Sequence, residues 1–282
     1  MSAFLAALAE HAFLQYALLA AMLANLGCGV VGSYVVVKRI GYLAGGIAHS
    51  VLGGMGVALY FGASPMLGAM LAAILAALLI GWVRLGWKQN EDTLIGALWA
   101  TGMAVGILFI ARTPGYNADL MSYLFGNILM VEPRDLWLMA ALDLMLLGVV
   151  GLFYKQFLAI AFDEEFARLR GLPVTALYLL LLCLVAVTVV LLIQIVGLIL
   201  VIALLTLPAA MAGQYVRTLG MVMLLATLIG LLLSLGGLFV SFQQDLPTGS
   251  TIILLAGLAY LVSTPLSAAW RRWRARRLIG HG

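Results

Sequence analysis

The sequence predicts an all-α, polytopic membrane protein. Hydrophobic residues make up 65% of its 282 positions and charged residues only 9%, against the roughly 45–50% apolar share of soluble domains. The mean hydropathy is +1.16. Apolar runs of about 20 residues recur along the chain, each long enough to cross some 30 Å of hydrocarbon. Lipid offers no partner to a backbone N–H or C=O, so such runs must be helices. Residues 1–282 read as a single transmembrane domain, because no stretch outside the spans is long enough for a soluble core.

Nine spans follow in order. The first covers 13–37 and stops at Lys38 and Arg39; it lacks a basic leader and exceeds a signal-peptide core, so it reads as a retained helix. The second, 43–61, ends at Gly62 and Pro65, the third, 66–83, at Arg84 and Lys88, and the fourth, 93–111, follows Glu91 and Asp92. Residues 112–134 then break the pattern. Pro114, Gly115, Asn117, Asp119, Glu132 and Pro133 surround an apolar stretch, 120–130, that is too short to cross and reads as an external re-entrant or interfacial helix.

The fifth span, 136–154, ends at Lys155. The uncharged run 174–215 is long enough for two crossings, and Gln194 and Gly197 near its centre divide it. The sixth span therefore ends near Leu192 and the seventh runs from Ile195 to 214, bent by Pro208. The eighth covers 219–242, a polar loop occupies 243–249, and the ninth is 250–269. The tail Arg271 to Arg277, with Trp270 and Trp273, suits an anionic lipid surface; it has no aromatic platform for nucleic acid.

Charge placement tests the count. With nine crossings and the N-terminus outside, Lys38, Arg39, Arg84, Lys88, Lys155, Arg168, Arg170, Arg217 and the basic tail all fall inside, leaving only Arg112 and Arg134 outside. Basic residues gather on cytoplasmic loops, and one wrongly divided span would scatter them. The C-terminus is thus expected in the cytoplasm.

His49 is the one histidine within a span, and Gly45, Gly53 and Gly56 share its helix face at i−4, i+4 and i+7. A stripe of small residues in lipid faces another helix, and an ionisable side chain there is a functional-site candidate. Asp143 is the one carboxylate deep in a span; it sits about 10 Å from His49 in depth, too far for direct partnership. Asn25, Gln194 and Gln214 read as interhelical hydrogen bonders. Cys28 and Cys183 match no disulfide or metal spacing, and the methionines are scattered rather than clustered.

The inner loop 162–173 carries start and stop signals of a short helix. Asp163 can cap it, Glu164 and Glu165 suit the positive end of its dipole, and Gly171 with Pro173 ends it. Arg168, four residues after Glu164, offers a surface pair. Phe162, Phe166 and Leu169 give it an apolar face suited to a partner's groove.

Four stretches in order resemble the membrane permeases of ATP-binding-cassette importers for zinc, manganese and iron: 41–56, similar to that family's Gly-Asp-x-x-x-His-x-x-x-x-Gly helix; 123–129; 162–172; and 197–210 with 245–249. The resemblance implies a homodimeric permease in a prokaryotic plasma (inner) membrane. It also implies a coupling helix at 162–172 that meets separate ATPase subunits through Asp163, Glu164, Glu165, Phe166, Arg168 and Gly171. An extracytoplasmic metal-binding protein would dock outside. The divalent metal is the transported substrate, with no intrinsic cofactor expected, and His49 is the metal candidate.

Two departures remove carboxylates: Gly45 stands where the family keeps an acid, and Asn127 where an acid is usual. Gly45, Asn127 and Asp143 are the further pathway candidates. Divalent ions prefer anionic oxygen or imidazole, so a path holding His49 alone should bind Zn²⁺ or Mn²⁺ weakly, as a conduit requires; otherwise the cargo is a metal chelate. No phosphate-binding Gly-x-x-x-x-Gly-Lys-Ser/Thr loop occurs, so ATP hydrolysis belongs to another chain. A gradient-driven transporter is the alternative class, and it normally uses several intramembrane carboxylates.

Overall fold

A computed structural model describes residues 2–86, 91–113, 126 and 128–279, and among these the chain is helical apart from short joints. Helix α1 (Ser2–Glu10) ends at His11, whose extended backbone leads into α2 (Ala12–Val37). Then come α3 (Gly41–Tyr60), α4 (Pro65–Gly86) and α5 (Glu91–Arg112). A 3-10 turn, Ile128–Met130, precedes α6 (Pro133–Leu152), which Pro133 opens and where the Asp135 carboxylate accepts the Glu132 N–H at 3.1 Å. Two short helices, α7 (Tyr154–Phe162) and α8 (Glu164–Leu169), lead to α9 (Val174–Val196), α10 (Leu198–Tyr215), α11 (Leu219–Gln244) and α12 (Thr248–Ile279).

Among the described residues nine helices have the length and hydropathy to cross a membrane: α2 to α6 and α9 to α12. They are the nine spans expected from the sequence. The expected re-entrant helix lies mostly outside the described residues, Asn127 included; only Gly126 and the 3-10 turn belong to the described part.

Four boundaries differ from the hydropathy reading, each for a local reason. Residues 2–10 form a helix of their own because Ala and Leu are strong helix formers, although nine residues cannot span. The fifth span stops at Leu152, and α7 follows as a separate helix. The sixth continues to Val196, since Gln194 is compatible with a helix; the break falls at Gly197, whose φ of 83° and ψ of 157° need a residue without Cβ. Finally, the basic tail continues α12 to Ile279, no glycine or further proline interrupting it after Pro265.

The bundle has two groups of helices. In one, α3 lies between α4 and α5; in the other, α2 packs on α6, α10 and α11, with α12 against α10 and α11. Helix α9 joins them by contacting α4 as well as α10 and α2. Accordingly α2, α3 and α9 are the most enclosed, with 72%, 78% and 72% of their spanning windows buried, whereas α5 has 11% and α12 22%. The outward faces of α5 and α12 are left for lipid or another chain.

Glycines set the closest helix contacts. A Cβ on Gly53 would lie 2.8 Å from the Gly102 carbonyl oxygen, one on Gly102 2.7 Å from Ser50 Cα, and one on Gly56 2.5 Å from the Gly106 carbonyl oxygen. On the other side of α3, Gly54 meets Gly68 of α4. The small-residue stripe thus serves the purpose expected of it, near-contact of backbones. Gly53→Leu should cost about 1–3 kcal/mol through overpacking, read as a lower Tm in detergent. Gly148→Leu, which has no neighbour within 4 Å, should leave the Tm close to wild type.

Candidate functional site

His49 projects from α3 toward α5, where its ring stacks on the indole of Trp99 with centroids 4.0 Å apart and an interplanar angle of 12°. Tyr42 flanks the same indole, its ring centroid 6.0 Å away. A Cβ on Gly45 would rest 3.6 Å from Trp99 Cζ3, an ordinary van der Waals distance. Where the resembled family keeps an acid, this chain therefore presents an indole face beside the imidazole. The His49 ring is half-buried, and its Nδ1 has no hydrogen-bond partner among the described residues. That nitrogen is enclosed in this structure, so a cation would reach it only when the α3–α5 contact opens.

Asp143 occupies a different interface. It is 5% exposed, and a Cβ on Gly27 of α2 would lie 2.8 Å from its Oδ1 and 3.8 Å from Thr188 Cγ2 of α9. Asp143 Oδ2 and Thr188 Oγ1 both lack a partner among the described residues. The carboxyl group thus faces α2 and α9, while His49 faces α5, in keeping with the depth argument against direct partnership.

Asn25 and Gln214 make the interhelical hydrogen bonds expected of them. The Asn25 amide donates to the Ala21 carbonyl at 2.7 Å and to Ser234 Oγ of α11 at 2.8 Å. Gln214 accepts from Ser263 at 2.9 Å and donates to Thr264 at 3.4 Å, tying α10 to α12. The side chain of Gln194 lies outside the described residues. Cys28 and Cys183 are free thiols.

The second candidate surface is α8. Asp163 Oδ1 accepts the Phe166 N–H at 2.8 Å, closing the N-terminal turn, and Gly171 ends the segment with a φ of 75°. Phe162, Phe166 and Leu169 are exposed, Leu169 by 84%. A hollow of about 440 Å³ is lined by Glu164, Glu165, Arg168 and Leu169.

Glu164 corrects the local pairing expected with Arg168. Its Oε1 lies 2.6 Å from Lys38 Nζ and 3.8 Å from Arg84 on α4. The Lys38 side chain is only 4% exposed, and an enclosed ammonium holds a carboxylate more firmly than a solvated guanidinium does. Burial pulls the Lys38 ammonium below its ordinary pKa, and the hydrogen bond to Glu164 opposes that pull. Glu165 and Arg168 stay exposed on the helix surface.

Trp99, Lys38 and Arg84 were not singled out as site residues from the sequence. Trp99 had a usable signal: Gly96, Trp99, Gly102 and Gly106 recur at helical spacing, a stripe of the same kind as the one around His49.

A bundle of nine candidate spans with a small exposed helix at its basic end and, among the described residues of those spans, one imidazole and one buried carboxyl group is the architecture of a membrane transport subunit. A model of the ABC 3 transport family matches residues 10–267, and the chain belongs to that family. It is 48% identical over 254 residues to an uncharacterized membrane protein of Synechocystis sp., 90% of each chain being covered. It is 34% identical over 274 residues to the manganese transport system membrane protein MntC of Halalkalibacterium halodurans, with 96% of this chain and 94% of that one covered. Of the solved structures, PsaBC from Streptococcus pneumoniae in complex with Fab superposes with a TM-score of 0.84 at 32% identity, covering 93% of this chain and 94% of that one. The chain is thus the permease component of an ATP-binding-cassette metal transporter, and ATP is hydrolysed by a separate chain in such systems.

The cap geometry yields a local prediction. Asp163→Ala should destabilise α8 by about 1 kcal/mol, the usual value of an N-cap. Hydrogen exchange should show faster exchange of the amides of 164–169 and unchanged protection in α9.

Proposed function

We propose that this permease imports a bare divalent cation, manganese or zinc, as a homodimer in a prokaryotic plasma membrane, with no intrinsic cofactor. Its basic end faces the cytoplasm, where α8 receives an ATPase subunit, and a metal-binding protein delivers cargo at the opposite end. The observation that carries this reading is His49: one imidazole with an unpartnered Nδ1 on a glycine-lined face of the most enclosed helix. The name of the Halalkalibacterium relative supports manganese. Orientation rests on the basic residues gathered at one end, and dimerisation on the outward face of α5, only 11% of whose spanning window is buried.

The site suits release better than retention. A single imidazole binds Mn²⁺ or Zn²⁺ far more weakly than a set of three or four ligands, so His49 acts as a transient waypoint. Paired His49 residues from two copies would double the donor count without closing a cage. Asn127 and Asp143 remain pathway candidates, Asp143 from the α2–α9 side. The absence of an acid at Gly45 also motivates a second reading, a chelated metal that brings its own anionic oxygens.

In proteoliposomes holding permease and ATPase, Mn²⁺ uptake should require ATP; uptake by the permease alone would sink this reading in favour of a gradient-driven transporter. His49→Ala should lower Mn²⁺ and Zn²⁺ uptake at least roughly tenfold, the scale on which metal-site substitutions act, and wild-type rates for both would remove its ligand role. Gly45 tolerates a Cβ beside Trp99, and Gly45→Asp should tighten Mn²⁺ binding on the order of tenfold by adding an anionic ligand, measured by calorimetry; no change would favour the chelate. Glu165→Lys with Leu169→Asp should abolish co-purification with the ATPase.

A further inference from the structure

Helix α8 is fastened to the bundle by one group of charged and aromatic side chains that neither its cap nor its stop requires. Lys38, directly after α2, donates to the Ile160 carbonyl at the end of α7 and to Glu164 Oε1, both at 2.6 Å. Ile160 O belongs to the last turn of α7, where a cation also meets the negative end of the helix dipole. Arg84, in the last turn of α4, approaches the same carboxylate oxygen to 3.8 Å and donates to the Tyr178 hydroxyl of α9. The Tyr178 ring lies beneath both cations, 4.5 Å from Arg84 Cζ and 5.3 Å from Lys38 Nζ. One carboxylate on α8 is therefore held by the ends of two spanning helices, over a ring supplied by a third.

Among the described residues Glu164 is the anion that Lys38 and Arg84 share, so neutralising it weakens a tie made in a poorly hydrated place. Helix α4 in turn meets α3 at the Gly68–Gly54 contact, and α3 carries His49. The link is thus continuous from α8 through α4 to the candidate metal waypoint. The geometry points to Lys38, Arg84 and Tyr178 as positioning residues that couple α8, through Glu164, to α2, α4 and α9, passing movement of α8 to the helices of the pathway. This rests on the reading of α8 as the ATPase-docking helix. Glu164 reaches back to Lys38, while Glu165 and Leu169 are exposed and make no such tie.

The test uses permease and ATPase reconstituted together, measuring co-purification, ATP hydrolysed and Mn²⁺ taken up. Lys38→Met and Glu164→Gln should still co-purify with the ATPase, but Mn²⁺ taken up per ATP should fall roughly tenfold, within the 5–150-fold span of couplings between distant sites. Lys38→Arg, which keeps the charge and reach, should restore most of that ratio. Should Lys38→Met fail to fold, the near-isosteric Glu164→Gln carries the test alone. A wild-type ratio in Glu164→Gln overturns the coupling role, and so does loss of ATPase co-purification, which would assign the group to docking. ATP-independent uptake by the unaltered permease would instead sink the importer reading itself.

Discussion

Helices surrounded by hydrocarbon gain little by hiding apolar side chains from one another, so their association depends on how closely their backbones can approach. In this chain the constraint is met at α3. Gly53 and Gly56 bring it against α5, and Gly54 brings it against α4, so it is lined with glycine on two sides. The consequence for chemistry is placement. A helix held by backbone proximity keeps its one imidazole at a fixed distance from α5, stacked on the indole of Trp99.

The polar groups inside the membrane differ in how fully they are paired. Gln214 ties α10 to α12, and the Asn25 amide nitrogen ties α2 to α11 while its Oδ1 has no partner among the described residues. His49, Asp143, Thr188 and Tyr34 likewise each retain an atom without a partner there. Such groups are costly in a medium of low polarity, and His49 differs from the rest in being an imidazole on a glycine-lined face.

The fold was legible wherever it depended on apolar length and on charge. The nine spans, the divided run 174–215 and the capped segment after Asp163 all follow from local composition. What escaped was of two sorts. Local structure without a hydropathy signal, such as α1 and the separation of α7 from α6, leaves no mark on an average over 20 residues. Contacts between distant positions were also hidden: Lys38 and Glu164 are 126 residues apart, and nothing in either segment names the other. Glu164 therefore looked like a surface residue paired with Arg168, the neighbour that helical spacing puts in reach. The indole beside His49 lay between these cases, visible as a stripe of its own but assignable to α3 only once the two helices were seen to cross.

Helix α8 has six residues, far below the dozen or more at which an isolated helix holds its shape in water. Its order is therefore borrowed from Lys38, Arg84 and the chain around Tyr178, which are contributed by segments made both before and after it. During folding, α8 takes its final place only after α2, α4 and α9 have come together. A partner that gripped α8 would therefore be reading a completed bundle rather than a local sequence.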